Sequence, residues 1–213
     1  MHTHIIVVGT FEVNCTLLYR EPDRVWVCDP GGSAEAIAAY LRAQDLRVAG
    51  YLLTHGHIDH IGALFDLLEP HPAPVHLHPA DAVWAFTAAN AIPPYPTFTT
   101  PPATLQTDLT AEFAGLSEGP RLQVIETPGH TPGSVCLWFP DDQVLLSGDT
   151  LFADSVGRTD LPGGDGRRLT QSLEALRGLP PELRVIPGHG PETTIARECR
   201  VNPFLSRSWE GLR

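Results

Sequence analysis

Thr54-His55-Gly56-His57-Ile58-Asp59-His60 is the stretch of this 213-residue chain on which its reading turns. It follows Val48 to Leu53, a short apolar run that reads as a buried strand. Alternation along an extended turn puts His55 and His57 on one side, able to share an ion. Asp59 and His60 come where the chain turns into the next helix, so they point to a neighbouring position. Imidazole and carboxylate ligands with no cysteine beside them favour zinc, with iron or manganese as alternatives.

Three later segments repeat the design. Val124-Ile-Glu-Thr-Pro-Gly-His130, Val144-Leu-Leu-Ser-Gly-Asp149 and Arg184-Val-Ile-Pro-Gly-His189 are each a short apolar strand that ends in a metal-type ligand beside glycine or proline. Strand ends of one sheet region converge on one rim, and glycine permits the turn that aims the side chain there. Seven candidates (His55, His57, Asp59, His60, His130, Asp149 and His189) exceed the donors one tetrahedral ion takes and suit two ions. Two ions about 3.5–4 Å apart share a carboxylate and a hydroxide, and Asp149 is the natural bridge. A metal-activated hydroxide needs no serine or cysteine nucleophile, and the chain has no G-x-S-x-G.

Around these segments the pattern is mixed α and β. Strands are expected over His4–Val8, Val13–Tyr19, Arg24–Cys28, Val75–Leu77, Leu122–Glu126, Ser134–Phe139, Gln143–Leu146 and Leu183–Ile186. Helices are expected over Ala34–Gln44 with Ser33 as its N-cap, around Gly62–Leu68, and over Ala80–Asn90, Arg167–Arg177 and Thr193–Arg200. Two packed sheets with helices outside would bury such strands on both faces. No linker divides the chain, so residues 1–213 are read as one domain. Residues 91–107 hold five prolines with Tyr95 and Phe98 and read as a long loop, a lid or a surface connection.

The net charge is −11, from 25 acidic residues against 14 basic ones, all of them arginine. Such a surface repels phosphate backbones, so a nucleic-acid partner is not expected. No apolar run approaches membrane-span length, and Met1–Thr10 lacks the marks of a signal peptide, so a cytoplasmic location without membrane contact is expected. Cys15, Cys28, Cys136 and Cys199 stand far apart and read as free thiols. His76-x-His78, with Asp81 near by, reads as packing rather than as a metal pair. His2, His4 and His71 read as incidental, and Trp84, Trp138 and Trp209 as packing residues.

Thr54–His60, with Gly129-His130, Gly148-Asp149 and Gly188-His189, resembles the metallo-β-lactamase superfamily over essentially the whole chain. The resemblance implies an αββα sandwich of two mixed sheets with outer helices and metals at one edge. Asp149 and His60 fill the glyoxalase II pattern, where the best-known β-lactamases place a cysteine in the second site. Gly157-Arg-Thr-Asp-Leu-Pro-Gly-Gly-Asp165, Pro187-Gly-His-Gly-Pro-Glu-Thr-Thr194 and Asn202-Pro-Phe-Leu205 are similar to the small bacterial glyoxalase II-like hydrolases, which lack the C-terminal glutathione-binding helical region. The implied reaction is hydrolysis of a thioester, such as a glutathione conjugate, by a metal-bridging hydroxide. His55, His57, His130 and Asp149 would hold the first ion, and Asp59, His60, His189 and Asp149 the second, with Asp59 also orienting the hydroxide. Arg158 would grip a substrate carboxylate or, in the blander reading, pair with Asp160 or Asp165. The alternative on the same fold is a persulfide dioxygenase-like enzyme with one iron on His55, His130 and Asp149, acting on glutathione persulfide.

Overall fold

The central strands of this protein, Val25–Cys28, Val135–Phe139 and Val144–Leu146, are apolar on both faces because both faces are covered. The computed structural model describes residues 1–20, 23–116 and 119–206. The first sheet runs in chain order through β1 (His2–Val8), β2 (Val13–Tyr19), β3 (Arg24–Cys28), β4 (Arg47–Leu52), β5 (Val75–His76) and β6 (Leu105–Gln106). Its β1–β3 pairings are antiparallel and those from β3 to β6 parallel. The second sheet contains β7 (Gln123–Glu126), β8 (Val135–Phe139), β9 (Val144–Gly148), β12 (Arg184–Pro187) and β13 (Thr193–Thr194), in the spatial order β13-β12-β9-β8-β7. Only β9 and β12 pair in parallel there. A two-stranded ribbon, β10 (Leu151–Phe152) with β11 (Ser155–Val156), follows β9.

Alternation along each strand sorts its side chains into three apolar layers. Val25 and Val27 share a core with Ile37 and Leu41 of helix α1 (Ala34–Ala43). Trp26 and Cys28, which alternate with them along β3, pack with Leu137, Val144, Leu146 and Ile186 of the second sheet. Leu145 and Val185 face the other way, toward Leu169, Leu173 and Leu176 of helix α5 (Gly166–Arg177) and Ile195 of helix α6 (Ile195–Val201). Helix, sheet, sheet, helix is therefore the layer order, the αββα sandwich expected from the sequence. No described helix is long and apolar enough to cross a membrane.

Local chemistry shifts several element boundaries. Ser33 precedes α1 but does not cap it: its φ is 51°, and its Oγ accepts from Gly9 N–H (3.2 Å) instead of from the helix. The expected helix around Gly62–Leu68 is found as α3 (Leu64–Leu68), and a separate short helix, α2 (Ile58–Ile61), precedes it. Helix α4 (Pro79–Ala85) stops early, and the 3₁₀ turn Ala88–Asn90 takes up the rest of the expected Ala80–Asn90 helix. At the end of the described chain, Thr193 and Thr194 pair as a strand, and Thr194 caps α6 through Oγ1 to Arg197 N–H (3.2 Å). Buried Glu198 ties this region together. It accepts from Thr193 Oγ1, Asp154 N–H (2.8 Å) and Asn202 Nδ2 (2.9 Å), and Asn202 also donates to Ser155 O (3.0 Å). Trp209 lies outside the described residues.

The layering predicts a sharp contrast between positions. Leu145 is fully buried, so Leu145→Ala should cost about 2–5 kcal/mol in urea unfolding. Val83 is 77% exposed on α4, and Val83→Ala should change stability by about 0.5 kcal/mol or less.

Candidate metal centre

Four strand ends meet at one rim of the sandwich. His55 follows β4, His130 follows β7, Asp149 directly follows β9, and His189 follows β12. His57 precedes α2, whose first turns carry Asp59 and His60. The two sheets are stitched together here. Val135 N–H donates to Thr54 O (2.9 Å), and Asn14 N–H donates to Gly188 O (2.8 Å). Asn14 Nδ2 also donates to the carbonyls of Pro187 and Gly190, each at 2.9 Å. Asn14 therefore fixes the turn that carries His189, a role its place in an apolar strand did not advertise.

All seven side chains named from the sequence come together. The donor atoms form three overlapping groups: His55 with His57 and His130, His55 with His60 and Asp149, and Asp59 with His60 and His189. His57 Nδ1 lies 2.9 Å from His130 Nε2, and His60 Nε2 lies 3.3 Å from His189 Nε2. Asp149 stands between the groups: its Oδ2 is 3.5 Å from His130 Nε2 and 3.5 Å from His189 Nε2. Asp59 Oδ2 lies 3.4 Å from His189 Nε2 and 3.8 Å from His60 Nε2.

Each of four imidazoles is held from behind by its Nδ1. His55 Nδ1 meets Thr54 Oγ1 (3.1 Å), and His60 Nδ1 meets Asp29 Oδ2 (3.0 Å). His130 Nδ1 meets Arg158 O (2.8 Å), and His189 Nδ1 meets Phe11 O (2.7 Å). Carbonyls and carboxylates only accept, so these contacts place the proton on Nδ1 of His60, His130 and His189 and turn Nε2 toward the centre. Asp29 does more than hold His60. It also accepts from Thr54 N–H (2.8 Å) and Thr54 Oγ1 (2.7 Å), so one carboxylate steadies both His60 and, through Thr54, His55. Sequence reasoning missed Asp29 because Asp-Pro-Gly-Gly after a strand looks like a turn. The available signal was that it too ends a buried apolar strand.

The electrostatics divide the cluster. Burial, then the neighbouring His60 imidazole, holds His55 well below the ordinary histidine range. Burial and His130 bring His57 down to about 4. Burial also opposes charge on His60 and His189, but the carboxylates outweigh it. Asp149, Asp59 and Asp29 push His60 well up, and Asp149 and Asp59 push His189 up to about 9. Burial raises the Asp149 carboxyl, yet His60 and His189 bring it well below the usual carboxylate range.

Two buried atoms in this cluster have no hydrogen-bond partner, His55 Nε2 and Asp149 Oδ1. Oδ1 lies 3.3 Å from His60 Nε2 without forming a bond of good geometry. Buried polar atoms left unpaired are costly, and a nitrogen lone pair and a carboxylate oxygen are what a divalent cation takes. The residues present thus fit a metal centre. Gly188 is part of the fit, because a Cβ there would run into Asp149 Oδ1.

The centre opens into a cleft of about 490 Å³ whose walls include Phe11, Ile92, Arg158 and Leu161. Arg158 reaches its mouth, with its exposed guanidinium gripping Asp160 through two bonds of 2.7 Å. The pairing with Asp160 is thus present, and the Arg158 carbonyl supports His130. The Pro-rich segment is anchored rather than loose. Tyr95 Oη accepts from Phe11 N–H (3.2 Å), and the Phe98 ring packs on Phe65 at 4.7 Å. His76 pairs with Asp108 (2.9 Å), while His78 Nδ1 accepts from Ala80 N–H (3.1 Å) at the start of α4; neither faces the centre. Asp81, fully buried, instead clamps the site loops by accepting from Gly56 N–H (2.8 Å), Gly133 N–H (2.7 Å) and Thr131 Oγ1 (2.7 Å). His2 and His4 stack on Tyr19 and Tyr40, away from the centre.

Comparison with known proteins agrees with this geometry. Residues 8–189 match the family described as "Metallo-beta-lactamase superfamily". The "Probable metallo-hydrolase YqgX" of Bacillus subtilis is 38% identical, over 93% of this chain and 95% of its own. The "Hydroxyacylglutathione hydrolase GloC" of Haemophilus influenzae is 32% identical, over 97% and 99%. Among solved structures, BLEG-1 B3 metallo-beta-lactamase is 37% identical with a TM-score of 0.87, covering 96% of this chain and 100% of that one. TTHA1623 in a di-iron-bound form is 38% identical with a TM-score of 0.82, covering 95% and 100%. With its strand-end histidines and aspartates gathered at one edge of an αββα sandwich, this chain belongs to the metallo-β-lactamase superfamily of metal-dependent hydrolases.

Proposed function

We propose that the chain works as a single-domain thioester hydrolase of the hydroxyacylglutathione type, with two divalent ions. The observation that carries the reading is the set of overlapping donor groups at the rim, with Asp149 standing between them beside an open cleft. His55, His57 and His130 would hold one ion and Asp59, His60 and His189 the other, with Asp149 shared. Zinc suits these donors, and the di-iron form of TTHA1623 supports iron as the alternative. Ions held there would supply the Lewis acidity that polarises an acyl carbonyl and brings the pKa of a bound water to about 7.

The protein's own part is orientation. Thr54, Asp29, Arg158 O and Phe11 O keep four Nε2 lone pairs aimed inward. Asp59, besides holding its ion with His60 and His189, would orient the attacking water. Among the described residues no thiol lines the cleft: Cys15, Cys28 and Cys136 are buried, with burial pushing each thiol up, Cys136 to about 11, and half-buried Cys199 packs against the core of α5 and α6. Free thiols suit a reducing cytoplasm, and the name of the Haemophilus relative supports a small glutathione thioester as substrate. The acidic surface supports neither a nucleic-acid partner nor a membrane.

The test pairs elemental analysis of the purified protein with an S-lactoylglutathione assay, with and without oxygen. About two ions per chain and oxygen-independent thioester cleavage are expected, and His57→Ala or Asp59→Ala should lower kcat/KM by more than about 100-fold. Near-normal turnover in either variant would sink the dinuclear scheme. One iron per chain with oxygen uptake on glutathione persulfide would replace it by the dioxygenase, and β-lactam opening without thioester cleavage would reassign the substrate.

Two further outcomes follow from the geometry of the centre. Gly188→Ala should displace Asp149 and weaken metal binding about 10–100-fold, as measured by competition with a chelating dye. His189, pushed up to about 9, carries a proton at pH 7 in the metal-free chain. Zinc uptake at that pH should therefore release protons to an indicator, and affinity should fall as the pH is lowered.

A further inference from the structure

A second cavity, of about 300 Å³, opens beside the metal cleft, with Trp84, Asn90, Ile92, Pro132, Leu161 and His57 among its walls. It shares His57, Ile92 and Leu161 with the cleft that holds Asp59, His130, Asp149 and His189. A molecule whose reacting carbon sits at the donor atoms can therefore extend one arm into it.

The chemistry of this annex is one-sided. Trp84, Ile92, Pro132, Leu161 and Pro162 present carbon. Its two polar side chains direct their Nδ atoms elsewhere. Asn90 spends its Nδ2 protons on Gly56 O (2.8 Å) and Ala85 O (2.7 Å). His57 directs Nδ1 at His130 (2.9 Å), and the Trp84 ring lies against the His57 ring, 5.4 Å between centroids. A hydroxyl entering the annex would lose water and find few partners, while an apolar group gains by leaving water. An apolar cavity of about 150 Å³ holds benzene, and this one is about twice that. It takes a ring or a branched chain, and it is too small and too apolar for a charged peptide carrier. The one arginine at the cleft, Arg158, lines the open side and not the annex.

We infer that the annex is the acyl pocket, and that the preferred substrate carries an apolar acyl group of ring or branched-chain size, larger and less polar than lactoyl. This rests on the hydrolytic reading above. The carrier thiol then lies in the open cleft on the Arg158 side. Trp84, read from the sequence as a packing residue, becomes a wall of the specificity pocket.

The experiment has a binding arm and a rate arm. Straight-chain carboxylates from acetate to hexanoate, with phenylacetate, are titrated calorimetrically into the metal-loaded protein. The matching thioesters of one fixed thiol are assayed for kcat/KM. Each added methylene should raise both affinity and kcat/KM about fourfold until the annex is filled, the factor that about 0.8 kcal/mol per buried methylene gives. Ala89→Phe, which fills the annex from an exposed position, should flatten both series. Ile92→Ser should shrink the step per methylene, a second check should the first variant misfold. A flat carboxylate series would overturn the acyl pocket. So would a gradient undiminished by Ala89→Phe, or one that follows the thiol when the acyl group is held constant. A carboxylate gradient in a protein that cleaves no thioester would keep the pocket and overturn the hydrolytic reading instead.

Discussion

Five imidazole rings and two carboxylates share a few ångströms at the rim of this sandwich, and several of their nitrogen lone pairs face one another. Lone pairs set face to face repel, and burial strips away the water that would separate them. A neutral ring can relieve one such contact by donating its N–H, as His57 Nδ1 can to His130 Nε2, and protons or metal ions supply the positive charge that relieves the others. The carboxylates show the tension. They favour the charged form of His60 and His189, while burial disfavours charge on His55 and His57. The metal-free cluster is thus a compromise that binding would relieve.

The rest of the molecule is arranged to hold that cluster still. Covering both faces of the central strands leaves little room there for polar side chains, so polarity concentrates where these strands end. The rim is then braced in three ways. Backbone bonds join the sheets beside His55 and His189, Asp29 joins one histidine to the neighbour of another, and Asp81 gathers three loop groups onto α4. Each brace is buried, so loss of any one leaves donors unpaired in a place where water is scarce.

Much of this was legible in the chain because the period of a strand and the chemistry of a ligand are both local. His55, His57, Asp59 and His60 announce themselves by spacing, and His130, Asp149 and His189 by their repeated place after apolar runs. The layer order followed from strands apolar on both faces. What was hidden depends on distant partners. Asn14 and Asp29 look like an ordinary strand residue and a turn residue until the opposite sheet is in place. Ser33 has the right type for an N-cap, but its left-handed backbone and the nearby Gly9 amide claim it. Asp81 could be seen only as a neighbour of His78, because the loops it clamps lie 25 and more positions away. Trp84 and Ile92 line a cavity that no periodicity encodes. Arg158 was singled out for its side chain, whereas its most direct tie to the centre is through its carbonyl.

That last detail divides labour within single residues. His130 and His189 are steered by main-chain oxygens of Arg158 and Phe11, while the side chains of those same residues line the cleft. Main-chain oxygen is common to every amino acid. Mutation can therefore rewrite the two side chains, and with them the molecules admitted, without retuning the ligands they support. A scaffold wired in this way can drift among substrates while its metal chemistry stays constant, which suits a fold shared by hydrolases of many kinds.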